Sequence, residues 1–415
     1  MKCNVGAASK SSGPCCISES RAEDLPAAPI IFVVMKVCFL VGTLARGGAE
    51  KQLVYMLRAL KNAEVATRVL CLTESESYEA EIKSLGVEIE FVGAARNQAV
   101  RALRIINSLR KKRADIVQSS HFYTNIYAGL AGRFLKIPSI GAIRSDLTAE
   151  MAAHGRLGKW QIRLPHFLIA NSELARRRAI ERGLAPGKIE FVRNVVDISK
   201  SDFEIAPKSA ATVKLLFVGR LDEKKRPDRF VRLAAILRDK FSHRSLEFHL
   251  AGDGILREEL EQQARNLNLW PGQLFFLGER HGMSAVYGQA DILVSTSALE
   301  GTPNAVLEAM AHKLPVVATN VGGTSEVLNE NCGFLIPVED ENALIAACAK
   351  LIENPELRRE MGKGGFDYVE KNYSLKSLQI HLTEIYERLR RQPNERYAAG
   401  NSILQFLLEG FTHDH

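Results

Sequence analysis

What most constrains the fold of this chain is a pattern used twice: short apolar runs alternating with longer stretches whose apolar residues recur at helical spacing. From Val34 onward the runs VVMKVCFLV, TRVLCL, VEIEFV, DIV, SIGAI, FLIA and IEFV read as strands. Between them, segments such as EKQLVYMLRAL and AVRALRIINSLRKKR read as amphipathic helices. Apolar residues then thin out over ISKSDFEIAPKSAAT, and a second series follows: VKLLFVG, LEFHLAG, LFFLG, DILVS, LPVVAT and GFLIP. Strands alternating with helices predict parallel sheets covered by helices on both faces.

The expected fold class is therefore α/β, with two Rossmann-like, doubly wound domains facing a cleft. The expected boundaries are a first domain over 35–197, a linker over 198–212, a second domain over 213–375, a last helix over 376–391 and a tail over 392–415. Residues 1–28 lack hydrophobic periodicity, and the first 34 residues are expected to be a disordered leader, non-native or mis-annotated. They do not read as a secretory signal, because no apolar stretch follows the first basic residue until position 29. A length of 415 residues suits two domains. No apolar run approaches the roughly 20 residues that span a bilayer.

Seven cysteines, at 3, 15, 16, 38, 71, 332 and 348, form neither a disulfide framework nor a metal-ligand pattern, so a cytoplasmic location is expected. Residues 1–200 carry 30 Lys and Arg against 18 Asp and Glu, whereas residues 201–415 carry 25 against 30. A basic first half suits an anionic partner, either a phosphate-bearing acceptor or an anionic membrane surface; a solvated basic face without a partner fits equally well. Segment 96–113, RNQAVRALRIINSLRKKR, reads as a basic amphipathic helix of the interfacial kind or as a plain surface helix.

Ligands of doubly wound sheets bind at the carboxyl ends of the strands, so residues just after each apolar run are the candidates. After DILVS comes Glu300-Gly301-Thr302-Pro303-Asn304, with Glu308 further on. Thr302 is predicted to cap a helix opened by Pro303, whose free N–H groups would suit an anion. Two carboxylates there can accept hydroxyl hydrogen bonds, or can be no more than helix-surface charges. After VKLLFVG, Arg220 and Lys225 sit in a loop closed by Pro227. A guanidinium and an ammonium at that edge can hold a diphosphate. Gly47 and Gly48 mark the first strand-to-helix turn and permit close backbone approach, though paired glycines also serve plain turns. His121 follows DIVQSS and is a candidate for the cleft, or a packed residue beside Phe122 and Tyr123. There is no D-x-D pair, P-loop, G-x-S-x-G elbow, dinucleotide fingerprint or nucleic-acid motif.

Taken together and in order, the Gly47-Gly48 loop, FVRNVVD at 191–197, FVGRLDEKKRPD, LAGDG at 250–254 and EGTPNAVLEAMAHKLPVVATNVGGTSEV resemble the retaining glycosyltransferase family 4, or group 1 glycosyltransferases, with the GT-B fold. The resemblance covers roughly residues 35–390. It implies a nucleoside-diphosphate sugar as co-substrate, no cofactor and no metal. It implies Arg220 and Lys225 on the donor diphosphate, Glu300 on the donor sugar and Glu308 on the ribose. The backbone from Gly301 through Thr302, Pro303 and Asn304 would approach sugar and phosphate, with Gly48 opposite. The last helix would return to the first domain. The acceptor would be a glycan or lipid-linked saccharide, with nucleic acid excluded. The chain departs from the pattern at Gln118 and Ser120, where family members often carry histidine, and at Asn194-Val195, where glycine usually follows the asparagine. The same architecture also serves nucleotide-sugar epimerases, phosphorylases and non-catalytic sugar-nucleotide binders.

Overall fold

The computed structural model describes residues 34–93, 97–198, 212–280 and 282–392. The expected leader up to residue 33, the linker residues 199–211 and the tail from 393 lie outside the described residues.

Each apolar run of the sequence is a strand. The first series gives β1 (Lys36–Val41), β2 (Ala66–Cys71), β3 (Glu88–Phe91), β4 (Ile116–Ser119), β5 (Ser139–Ile143), β6 (Phe167–Ala170) and β7 (Ile189–Phe191). They form one sheet in the order β3-β2-β1-β4-β5-β6-β7. The second series gives β8 (Thr212–Val218), β9 (Ser245–Ala251), β10 (Leu274–Gly278), β11 (Ile292–Ser295), β12 (Val316–Thr319) and β13 (Gly333–Ile336). Their order is β10-β9-β8-β11-β12-β13. Neighbouring strands pair parallel throughout, for example Val37 with Ile116 and Leu215 with Ile292.

Alternation along β1 shows why helices cover both faces. Val37, Phe39 and Val41 join the core under the Gly48–Asn62 helix, while Cys38 and Leu40 join the one under the Gln98–Lys111 helix. Leu215 and Phe217 likewise point to one face of β8, and Leu216 to the other. Cys38, Cys71, Cys332 and Cys348 are buried free thiols within these layers. The Leu375–Arg390 helix ends the described chain. Its Leu378, Leu382, Ile385 and Leu389 share the first sheet's core with Leu53 and Leu57, so it returns to the first domain.

Strand order reverses between β1 and β4 in one sheet and between β8 and β11 in the other. Loops leaving two such strands diverge to opposite faces and leave a crevice at the carboxyl edge. Gly47, Gly48 and His121 follow β1 and β4; Arg220, Lys225 and the Glu300 loop follow β8 and β11.

Candidate functional site

The two loops of the second sheet are stitched together. Ala298 N–H donates to the Lys224 carbonyl at 2.8 Å, and Thr296 Oγ1 donates to that of Arg226 at 2.7 Å. Pro227 opens the Pro227–Lys240 helix as expected, after Arg226 in the left-handed region at φ 50°. This stitching sets Lys225 Nζ 2.6 Å from Glu300 Oε1, and Ser297 Oγ donates to the same oxygen at 2.7 Å. Sequence reasoning gave these two charges separate tasks; the fold makes them one ion pair, with Glu300 9% and Lys225 30% exposed. Arg220 is exposed beside them and makes no side-chain hydrogen bond or ion pair among the described residues. A glycine holds the Glu300 backbone in place. Gly322, at φ 55°, lies so close that a Cβ there would come within 1.9 Å of the Glu300 carbonyl oxygen.

The helix start differs from the one expected. Thr302 does not cap it: its Oγ1 donates instead to the Asn171 carbonyl, at the end of the first sheet's β6. Pro303 takes the capping position with extended ψ, and the helix runs Asn304–Ala311 without a side-chain cap. The reason is tertiary, since a carbonyl from the other domain captures the hydroxyl that local geometry would have turned to the helix. The start remains at the carboxyl edge, and Glu308 becomes the fifth helical residue rather than about the sixth.

Glu308 is doubly engaged. Its Oε1 lies 2.8 Å from Lys51 Nζ of the first domain, and its Oε2 accepts from the Tyr287 hydroxyl at 3.0 Å. Burial pushes the Tyr287 phenol well above its ordinary value, with the Glu308 charge adding to it. The ring also stacks on His312, centroids 5.1 Å apart. For Lys51, burial opposes the charge, but the Glu308 carboxylate together with Tyr55 and Tyr78 outweighs it and holds the ammonium above its usual range.

On the first domain, Gly47 precedes the Gly48–Asn62 helix, again without a side-chain cap. A Cβ on Gly48 would lie 2.4 Å from Asn304 Nδ2, and that amide donates to the Gly48 carbonyl at 3.1 Å. Gln52 binds both polar groups of Val195, donating to its carbonyl at 2.7 Å and accepting from its N–H at 2.9 Å. That clamp shapes the loop where the sequence has valine in place of the usual glycine.

His121 uses both ring nitrogens. Nδ1 accepts from the Gly42 N–H at 3.1 Å, which leaves Nε2 to carry the proton toward Glu50 Oε1 at 2.7 Å. It therefore holds Glu50 beneath the glycine loop. Gln118 is also committed, accepting from the Tyr386 hydroxyl at 2.6 Å. Arg144, at the end of β5, donates to Asn194 Oδ1 at 3.3 Å, and burial lowers its guanidinium to about 10.

A cleft of about 650 Å³ is lined by Gly47, Gly48, Arg220, Lys225, Glu300, Gly301, Thr302, Asn304 and Glu308, within the size range of small-molecule sites. Pro303 and His121 are not among the residues that line it. The sequence reading missed Lys51, Gln52, Tyr287 and Arg144, which line it too. Lys51 and Gln52 had a signal, lying three and four residues after Gly48 on one helical face. Tyr287 and Arg144 had none. Among the described residues, no three His, Cys, Asp or Glu side chains converge as a metal site requires.

Comparison with known proteins agrees with this geometry. Residues 46–200 match the family described as Glycosyltransferase Family 4, and residues 199–367 match Glycosyl transferases group 1. An α-1,4-N-acetyl-D-galactosaminyltransferase of Campylobacter jejuni, named for a diphosphoundecaprenol-linked acceptor, is 28% identical over 343 residues, covering 79% of this chain and 92% of that one. A UDP-galactose-dependent α-1,3-galactosyltransferase of Escherichia coli is 26% identical over 302 residues, 66% of this chain and 77% of its own. Among solved structures, Anabaena HepE in complex with UDP-glucose superimposes with a TM-score of 0.75 at 18% identity, covering 85% of this chain and 100% of that one. Because the two family matches overlap at 199–200 and together span residues 46–367, most of both domains, the chain belongs to the group 1 glycosyltransferases and has their two-domain GT-B fold.

Proposed function

We propose that the protein transfers a sugar from a nucleoside-diphosphate sugar to a hydroxyl of a glycan or lipid-linked saccharide, with retention of anomeric configuration and without a metal. The observation that carries this reading is the convergence of Arg220 and the Lys225–Glu300 pair on one sheet edge, with Glu308 along the same wall. Arg220 and Lys225 hold the donor diphosphate, and Glu300 and Glu308 accept hydrogen bonds from sugar and ribose hydroxyls. In the transfer the acceptor oxygen bonds to the anomeric carbon, the bond from that carbon to the phosphate oxygen breaks, and the acceptor proton passes to the leaving diphosphate. Fixed cations aimed at the leaving group lower the barrier because they need no reorganisation as its charge builds. His121 serves by fixing Glu50 under the glycine loop. The names of the relatives support a uridine-diphosphate donor and a diphosphopolyprenol-linked acceptor.

The deciding experiment screens uridine, guanosine and adenosine diphosphate sugars for a rise in melting temperature, then measures turnover on diphosphopolyprenol-linked saccharides with and without EDTA. A donor that stabilises the protein, and product of unchanged anomeric configuration by NMR at undiminished rate in EDTA, supports the reading. Full turnover by Arg220→Ala and Lys225→Ala would overturn it.

One surface supports a membrane station as part of this reading. Leu103 is 58% and Phe134 55% exposed on neighbouring helices, and the Arg110 guanidinium lies 4.9 Å from the Phe134 ring centre. Arg104, Lys111 and Lys112 are exposed around them. Apolar residues framed by cations suit the cytoplasmic, anionic face of a bilayer. No helix among the described residues is long and apolar enough to cross it. Vesicle sedimentation with and without phosphatidylglycerol tests this, and equal binding to both would sink it.

A further inference from the structure

Two helices from different domains meet in the cleft. Gly48, Lys51 and Gln52 share one face of the Gly48–Asn62 helix, and Asn304 and Glu308 share one face of the Asn304–Ala311 helix. Spacings of three and four residues bring each set into line. The faces are joined by Asn304 Nδ2 to the Gly48 carbonyl at 3.1 Å, Gln52 Nε2 to Asn304 Oδ1 at 3.2 Å, and Lys51 Nζ to Glu308 Oε1 at 2.8 Å. All of these partners are polar, whereas the opposite face of the first helix buries Leu53, Leu57 and Leu60 in its own domain's core.

That division has a physical meaning. An apolar seam would weld the two domains, because separating it would expose hydrocarbon to water. A polar seam can open, since every partner can be rehydrated, and polar contacts between domains go with relative motion. The Lys51–Glu308 pair, with side chains 27% and 12% exposed, is the strongest of the three joints and is little screened by salt. Glu308 can also do two things at once. A carboxylate offers about four lone-pair sites, of which Lys51 and Tyr287 take one each, on different oxygens.

We propose that Lys51 is a positioning residue that latches the cleft shut by pairing with Glu308, so that the carboxylate holding the donor ribose also holds the two domains in their binding-competent arrangement. This rests on the donor-site reading given above. Lys51 acts through Glu308, not on the nucleotide. It raises apparent affinity because a ligand that needs the closed arrangement binds with an apparent affinity proportional to the fraction of molecules that are closed. The ribose hydroxyls and Lys51 thus share one carboxylate, and closure and donor occupancy favour each other through it.

The test is a double-mutant cycle on the full chain, with uridine, guanosine and adenosine diphosphate as probes and calorimetry as readout. Lys51→Gln is expected to weaken the bound nucleotide about tenfold, and Lys51→Arg to stay within about threefold of wild type. In a Glu308→Gln background, which keeps an amide oxygen for the ribose but has no charge to pair, Lys51→Gln is expected to add less than twofold. Small-angle X-ray scattering gives a second arm without nucleotide: Lys51→Gln should enlarge the radius of gyration. An equal loss in both backgrounds would overturn the proposal, because Lys51 would then act on the diphosphate directly. An unchanged affinity and radius in Lys51→Gln would overturn it too. If no nucleotide binds the wild type, the donor-site reading fails, and the scattering arm still decides the latch.

Discussion

Glu300 carries a charge that the fold has already balanced with Lys225, so the two residues are expected to fail in different ways. Lys225→Ala leaves Glu300, 9% exposed, without its cation, and on the proposed function it also removes a charge aimed at the leaving group. Its kcat is expected to fall on the order of 100-fold or more, the size seen when one fixed donor of transition-state stabilisation is lost. Arg220→Ala breaks no internal pair, so its melting temperature should match wild type while turnover falls. Thermal melts beside initial rates separate the two. His121 makes the converse case. Its ring nitrogens are spent on Gly42 and Glu50, and His121→Ala should cost stability, about 1–3 kcal/mol for a buried partner left unsatisfied. Chemical denaturation measures it. Motif reading could place this histidine at a strand end but could not assign its partners, which come from residues 79 and 71 positions away.

Among the elements, the Leu375–Arg390 helix is the one whose position sequence periodicity cannot give. Its apolar stripe was legible; the Gly48–Asn62 helix it packs on lies more than 300 residues earlier in the chain. Leu382 is fully buried there, and Leu382→Ala is expected to cost about 2–5 kcal/mol by transfer and cavity terms. The same helix is tied to β7 through Glu190, which pairs with His381 at 2.8 Å and with Arg388. Burial raises the Glu190 carboxyl, but Arg388 and His381 outweigh it and the net shift is downward from 4.5. A depressed carboxyl contributes stability above its unfolded value and loses it as pH falls through the folded one. Glu190→Gln should therefore lower the melting temperature near pH 7 and change it little below the depressed value. Melts from pH 7 to pH 3 check the sign. The Asn304–Ala311 helix shows the limit of local rules. Thr302 and Pro303 fit a helix start in sequence, yet Asn171 takes the Thr302 hydroxyl and moves the start by one residue.

For the whole molecule, the two sheets present their switch points to one cleft, and a ligand that touches both domains should stabilise both. A nucleotide present at 100 times its dissociation constant is expected to add about 2.7 kcal/mol. That should appear as slower hydrogen exchange in the Gly48–Asn62 helix as well as in the Asn304–Ala311 helix. Protection confined to the second domain would mean that the first contributes nothing to donor binding.

The elements and their class were legible in the residue pattern alone. Strand and helix periods are local, buried parallel strands are continuous apolar runs, and all thirteen strands among the described residues could be read from them. That pattern also placed Glu300, Arg220, Lys225 and the glycine pair just after strands and Glu308 in the helix that follows, because loop position follows from element order. Which partners those side chains take came only from the folding of the whole chain. Lys225 with Glu300, Lys51 with Glu308, Asn304 with Gly48 and Thr302 with Asn171 join residues from 75 to 257 positions apart. The first depends on which strands are neighbours in the second sheet and the other three on how the two sheets face each other, and no local period encodes either.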